Sequence, residues 1–240
     1  MIGQDMARTN RLLAALPQEV LARWLPELEP IDLPLGAVLR ETGARLPYAV
    51  FPTTALVCLV HLLEDGGSTE VAVIGFDGLV GMPVFMGGGT ALSRAVVQSA
   101  GHGLRMRTDF LADEFQRQPA VMQLLLRFAQ ALMTQMSQTA VCNRHHALEQ
   151  QLCRWLLLSL DRLPGDELVM TQELIAHMLG VRREGVTEAA GRLGRDGLIA
   201  YRRGRITVLD RAALERRACE CYAVVEREYR RLLPHPTVAG

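Results

Sequence analysis

The residues best suited to recognition chemistry lie between Thr171 and Leu209. Leu174, Ile175, Met178 and Leu179 recur as the buried face of a helix that Thr171 can cap, with Glu173 in its first turn. Gly180 permits a tight turn after it. A second helix is expected from about Arg182 to Arg195, where Val186, Ala190 and Leu193 fall inward at steps of four and three. Arg182, Arg183, Glu184, Thr187, Glu188 and Arg192 are then left facing outward. Two short helices joined by a glycine turn, the second charged on its free face, define a helix-turn-helix. Arginine can take guanine O6 and N7 together, and glutamate can accept from cytosine N4. Leu198–Arg202 and Arg205–Leu209 follow as two strands, with Arg203-Gly204 suited to the hairpin between them. This is a wing whose tip offers Arg202, Arg203 and Arg205 to a phosphate backbone.

The elements that must carry this device change texture along the chain. Residues 10–28 read as helix through Leu12, Leu13, Leu16, Val20, Leu21, Trp24 and Leu25. From Ile31 to Met106, short apolar runs alternate with turn signals such as Asp65-Gly66-Gly67 and Gly87-Gly88-Gly89, and Leu56–Leu62 and Glu70–Ile74 read as strands. A β-roll is expected there, jelly-roll-like, and the chain as a whole reads as α+β. Thr108 suits the cap of a short helix to about Gln116, and Pro119 opens a long one. Met122, Leu125, Ala129, Leu132 and Met136 space a heptad-like seam along it, expected to pair with a second copy, while Leu124, Leu126 and Met133 form another apolar flank. The polar run Cys142-Asn143-Arg144-His145-His146 reads as a hinge, and Leu148–Leu163 as a further helix. The organisation predicted is a sensor roll over 1–118, a dimerisation helix over 119–142, a winged helix-turn-helix over 143–210 and a helical extension over 211–240.

Composition narrows the class. The 240 residues are 49% hydrophobic and 22% charged, the profile of a globular domain or two, and no apolar run reaches the roughly 20 residues of a membrane helix. No secretion signal is evident at Met1–Pro17, so a cytoplasmic location is expected. Net charge is zero, but residues 143–240 hold 16 arginines against 13 acids and residues 1–142 hold 10 against 13. A polyanion would prefer the second part. There is no lysine, so every fixed cation is an arginine. The five cysteines are an odd number, which argues against a disulfide framework. Cys142, His145 and His146, with Cys153 further on, have metal-like spacing but lack a recognisable second ligand pair, so no metal is assigned. Cys219 and Cys221 would face different sides of a helix and read as ordinary helix cysteines. No nucleophile elbow, HExxH, phosphate-binding loop or dinucleotide fingerprint is present, so an enzyme is not expected.

Thr171-Gln172-Glu173-Leu174-Ile175-Ala176, Gly180-Val181-Arg182-Arg183-Glu184-Gly185-Val186-Thr187 and Leu193-Gly194-Arg195-Asp196-Gly197-Leu198-Ile199 resemble the winged helix of the CRP/FNR family of bacterial transcription regulators. The order of roll, long helix, hinge and DNA-binding domain fits the same family. The resemblance implies a homodimer that reads a palindromic operator in double-stranded DNA under control of a signal at the roll. RNA polymerase would be a further partner if the regulator activates. By position, Arg183, Glu184 and Glu188 match base-reading residues, and Thr171, Gln172 and Arg182, joined by Thr187, match residues that meet phosphates. Arg182 stands where the family often has Ser or Thr, and Glu188 where a base-contacting arginine is common, so the operator is not inherited. The family's effector pocket falls on Gly81, Met82, Ser93 and Arg94. Met82 replaces the carboxylate that holds a ribose hydroxyl, so a cyclic nucleotide is disfavoured. The family's N-terminal cysteine cluster has no counterpart before Cys58. The competing reading is a ligand-responsive module whose winged helix binds a protein partner.

Overall fold

The computed structural model describes residues 2–233. Three short helices come first: α1 (Gln4–Arg8), α2 (Arg11–Ala14) and α3 (Gln18–Trp24). The single helix expected over 10–28 is broken because Pro17 starts a new one, while Asn10 caps α2 by accepting from Leu12 and Leu13. Of the expected apolar positions all but Leu25, which is half-buried, are buried, with Leu13 and Leu21 fully enclosed.

The roll consists of two antiparallel sheets. One runs β1 (Glu29–Leu33), β7 (Gly101–Arg107), β3 (Tyr48–Pro52) in spatial order. The other runs β2 (Val38–Arg40), β6 (Arg94–Ser99), β4 (Leu56–Leu62), β5 (Ser68–Ile74). Alternation along each strand sends Ala95 and Val97, or Val57 and Ile74, into the space between the sheets. Helix α4 (Thr108–Arg117) closes one side, with Thr108 inside the helix and its hydroxyl donating to the Leu46 carbonyl at 2.5 Å.

Helix α5 (Pro119–His145) then runs 27 residues, opened by its proline and continuing through Cys142, Asn143 and Arg144. The expected hinge therefore shrinks to His146–Ala147, and helix α6 (Leu148–Leu160) starts at once. Every residue of α6 from Gln151 to Leu160 is buried. A helix enclosed all round is a core element. Here it joins the roll to the C-terminal half in one continuous hydrophobic core.

Two buried polar links tie α6 to the roll. The Trp155 indole donates to Glu70 at 3.0 Å, and Gln98 donates to the same carboxylate at 3.2 Å. Arg162, just beyond α6, pairs with Asp77 at 3.1 Å, both nearly excluded from solvent. Gly75 lies so close to the backbone that a Cβ there would meet the Arg162 carbonyl at 2.0 Å. Burial pushes the Glu70 carboxyl up to about 8, against the opposing pull of Arg154 and of its hydrogen bonds. The folded chain therefore binds this proton more tightly than the unfolded one, so the contribution is greatest at low pH and is lost as pH rises from about 4.5 towards about 8. Glu70→Gln should remove that slope, of up to about 1.4 kcal/mol per pH unit. It keeps the acceptor for Trp155, and Gln98 has a free carbonyl to turn towards the new amide. Urea midpoints should show the variant gaining on the wild type between pH 5 and pH 8 (roughly the titration window). A difference that is the same at both pH values would refute the assignment.

The C-terminal half contains β8 (Glu167–Val169), α7 (Gln172–Leu179), α8 (Arg183–Arg195), β9 (Ile199–Arg202) and β10 (Arg205–Val208), with the sheet ordered β8-β10-β9. Helices α9 (Arg211–Arg217) and α10 (Glu220–Leu232) follow, and α10 lies along α5, where Gln135 donates to the Tyr229 hydroxyl at 3.0 Å. No helix among the described residues is long and apolar enough to cross a membrane.

Candidate nucleic-acid interface

Thr171 accepts a hydrogen bond from the Leu174 amide at 3.2 Å and so caps α7. Gly180 ends it with φ +66°, the left-handed turn that glycine allows. The same glycine lies against the β4–β5 hairpin, where a Cβ would meet the Thr69 hydroxyl at 2.8 Å. Helix α8 turns Val186, Ala189, Ala190 and Leu193 inward and leaves Arg182, Arg183, Glu184, Thr187 and Glu188 exposed. Arg182 is its N-cap residue and makes no side-chain cap, so its guanidinium is not used by the helix.

The β9–β10 register pairs Arg202 with Arg205 and leaves Arg203-Gly204 as a two-residue turn, with φ of +50° and +77°. Thr171, Gln172, Arg183, Tyr201, Arg203 and Gly204 line an open groove between the helix-turn-helix and this wing. Tyr201, which the sequence reading passed over, fixes the wall of the groove by donating to the Met170 carbonyl at 2.9 Å. Thr187 donates to the Gln172 side-chain carbonyl at 2.7 Å, tying α8 to α7 and leaving the Gln172 amide nitrogen for a ligand.

Not every expected contact is free. Glu188 pairs with Arg192 at 2.7 Å, and Arg192 pairs in turn with Glu149 at 2.6 Å. Arg205 pairs with Glu167 across the β10–β8 ladder. Arg182, Arg183, Arg202 and Arg203 are exposed and have no carboxylate partner among the described residues. These four unpaired cations lie together at the start of α8 and the wing tip. Such a surface is electrostatically prepared for phosphates.

Elsewhere two expectations change. Leu125, Ala129 and Leu132 do not form a free seam on α5: they are buried at 2%, 4% and 1% exposure within the chain's own core. Leu132 and Met136 instead wall a cavity of about 40 Å³ inside the roll, with Gly81, Met82 and Ser93. The apolar side chains exposed on α5 are Met122, Leu126, Met133 and Val141. Arg94 also differs: it faces outward to Glu41, at 3.3 Å, because strand alternation turns Ala95 inward. The guanidinium inside the cavity is that of Arg40, which donates to the Val80 carbonyl at 3.3 Å and also to that of Tyr48, and whose pKa burial lowers to about 10. A space this small admits a water or two and falls far below the several hundred Å³ of nucleotide-sized sites.

The chain is thus a roll joined through a long helix to a winged helix-turn-helix. Residues 150–217 match the model of the Crp-like helix-turn-helix domain. No curated relative matches the chain in sequence. Solved structures share its fold. FixK2 from Bradyrhizobium japonicum is 15% identical, with a TM-score of 0.70 over 80% of this chain and 98% of its own. A CRP-family transcriptional regulator from Thermus thermophilus is 21% identical, with a TM-score of 0.63 over 78% of this chain and 96% of its own. The c-di-GMP-responsive global regulator CLP from Xanthomonas campestris is 15% identical, with a TM-score of 0.64 over 81% of this chain and 100% of its own. The chain carries a Crp-like helix-turn-helix domain on the fold of the CRP/FNR transcription regulators.

Proposed function

We propose that the protein is a sequence-specific DNA-binding transcription regulator that acts as a homodimer on a palindromic operator. The observation that carries this reading is the groove between α8 and the wing, rimmed by Arg183 and Arg203 with Arg182 and Arg202 beside it and without internal carboxylate partners. Arg183 and Glu184, on the first turn of α8, read base edges in the major groove. Thr171, Gln172, Arg182, Arg202 and Arg203 hold phosphates and set the register. Glu188 is held on the flank by Arg192, so its base contact requires that pair to open. A signal reaching the roll changes the seating of α6 against Glu70 and Asp77, and with it the separation of the two α8 helices.

Salt dependence of binding to a duplex tests this. With three free phosphate-facing arginines in each protomer, log K should fall against log salt with a slope of about −5. A slope near zero would exclude phosphate recognition and leave a protein partner as the ligand of the winged helix.

A further inference from the structure

The end of α5 and the start of α10 gather four donor groups that the DNA-facing surface does not use. Cys142 lies in the last turn of α5, His146 is its C-cap residue, Cys219 is the N-cap residue of α10 and Cys221 lies in its first turn. Their ligand atoms all lie within 4.8 Å of one another. Cys219 and Cys221 converge because Cys219 stands outside the helix, so the expectation that they face different sides does not apply. His145 is exposed, and the cluster does not include it or Cys153. We propose that Cys142, His146, Cys219 and Cys221 form a tetrahedral zinc site.

The geometry is close to that of a loaded site. Zinc–sulfur bonds of about 2.3 Å place tetrahedral sulfurs about 3.8 Å apart. Cys142 and Cys219 have their sulfurs 3.5 Å apart, and Cys221 Sγ is 3.6 Å from His146 Nδ1. The first of these distances is far beyond the roughly 2.05 Å of a disulfide. The imidazole is divided as a metal-bound histidine requires, with Nδ1 towards the thiols and Nε2 3.3 Å from the Glu220 carboxylate. The three sulfurs are shielded from water, at 0%, 4% and 1% residue exposure, and form a cluster of their own apart from the main core.

Charge also fits. Three thiolates around one zinc leave a net negative charge in a buried place. Arg154 is 3% exposed, donates to Thr139 at 3.1 Å and has an unpartnered Nε. The hydrogen bond to Cys219 and burial raise the Cys142 thiol, burial raises that of Cys221, and the charge of Arg154 opposes both shifts. A buried cation with so few partners is stabilised by an anion beside it. The winged helix lies between the two ligand pairs in sequence, so the metal closes a loop around that domain and pins both of its ends to α5.

Cobalt(II) is the probe. Reduced, chelator-treated protein should bind one equivalent, develop thiolate-to-cobalt charge transfer and strong tetrahedral d–d bands, and lose both when one equivalent of zinc is added. Cys221→Ser should abolish this spectrum. Glu220→Ala, at an exposed second-layer position, should weaken zinc affinity roughly 10-fold. The wild-type spectrum alone decides the matter if Cys221→Ser does not fold. Absence of stoichiometric binding, an octahedral cobalt spectrum, undiminished binding by Cys221→Ser, or iron with inorganic sulfide in the isolated protein would each overturn the zinc assignment.

Discussion

Replacing both Leu126 and Met133 by glutamate should convert the protein to a monomer and weaken operator binding by roughly 10²–10⁴-fold, the range over which linked half-sites enhance one another. The two side chains are 48% and 54% exposed on α5, on a stripe that includes Met122 and Val141. Nothing in the chain's own core depends on them, so the monomer should keep its fold. In a two-fold dimer each glutamate would face apolar neighbours and the same charge on the other copy, and both effects oppose association. Sedimentation and operator titration of the same preparation check the prediction together. A variant that remains dimeric would place the interface elsewhere on the surface.

Arg183→Ala should remove roughly 1–3 kcal/mol of discrimination between operator and random duplex. Arg183 is the first helical residue of α8, is exposed, and borders the groove with Thr171, Gln172 and Arg203. A guanidinium there can reach a guanine edge through two parallel donors, which alanine cannot replace. The affinity for random sequence should fall much less than that for the operator. Equal losses on both duplexes would make Arg183 a phosphate contact.

The helix-turn-helix was readable because its signals are local. Thr171 caps α7, Gly180 adopts the left-handed turn and Arg203-Gly204 turns the wing, each within a few residues of the element it ends. The long helix was readable in extent, from Pro119 almost to its end, but not in orientation. Periodicity marks an apolar face without saying what covers it: Leu125, Ala129 and Leu132 meet the chain's own core, and Leu126 and Met133 are left outside. Arg94 and Arg40 were exchanged for a related reason. Neighbouring residues on a strand alternate sides, and the register opposing Arg40 to Ala95 puts Arg40 on the inner face. The cysteine and histidine cluster was legible only in fragments, because Cys142 and Cys219 are separated by the whole winged helix and meet through the packing of α10 on α5. Strand β8 was missed because three residues give too short a pattern to distinguish from a turn.

Two copies of the Arg183–Arg195 helix should enter successive major grooves of one duplex. Selection of bound sequences from a random duplex library, followed by guanine-N7 methylation interference on the enriched site, tests it most directly. An inverted repeat with half-site centres about 10 base pairs apart is expected, with interference confined to the major groove of each half. Enrichment of no sequence, or of a single unrepeated site insensitive to N7 methylation, would contradict it.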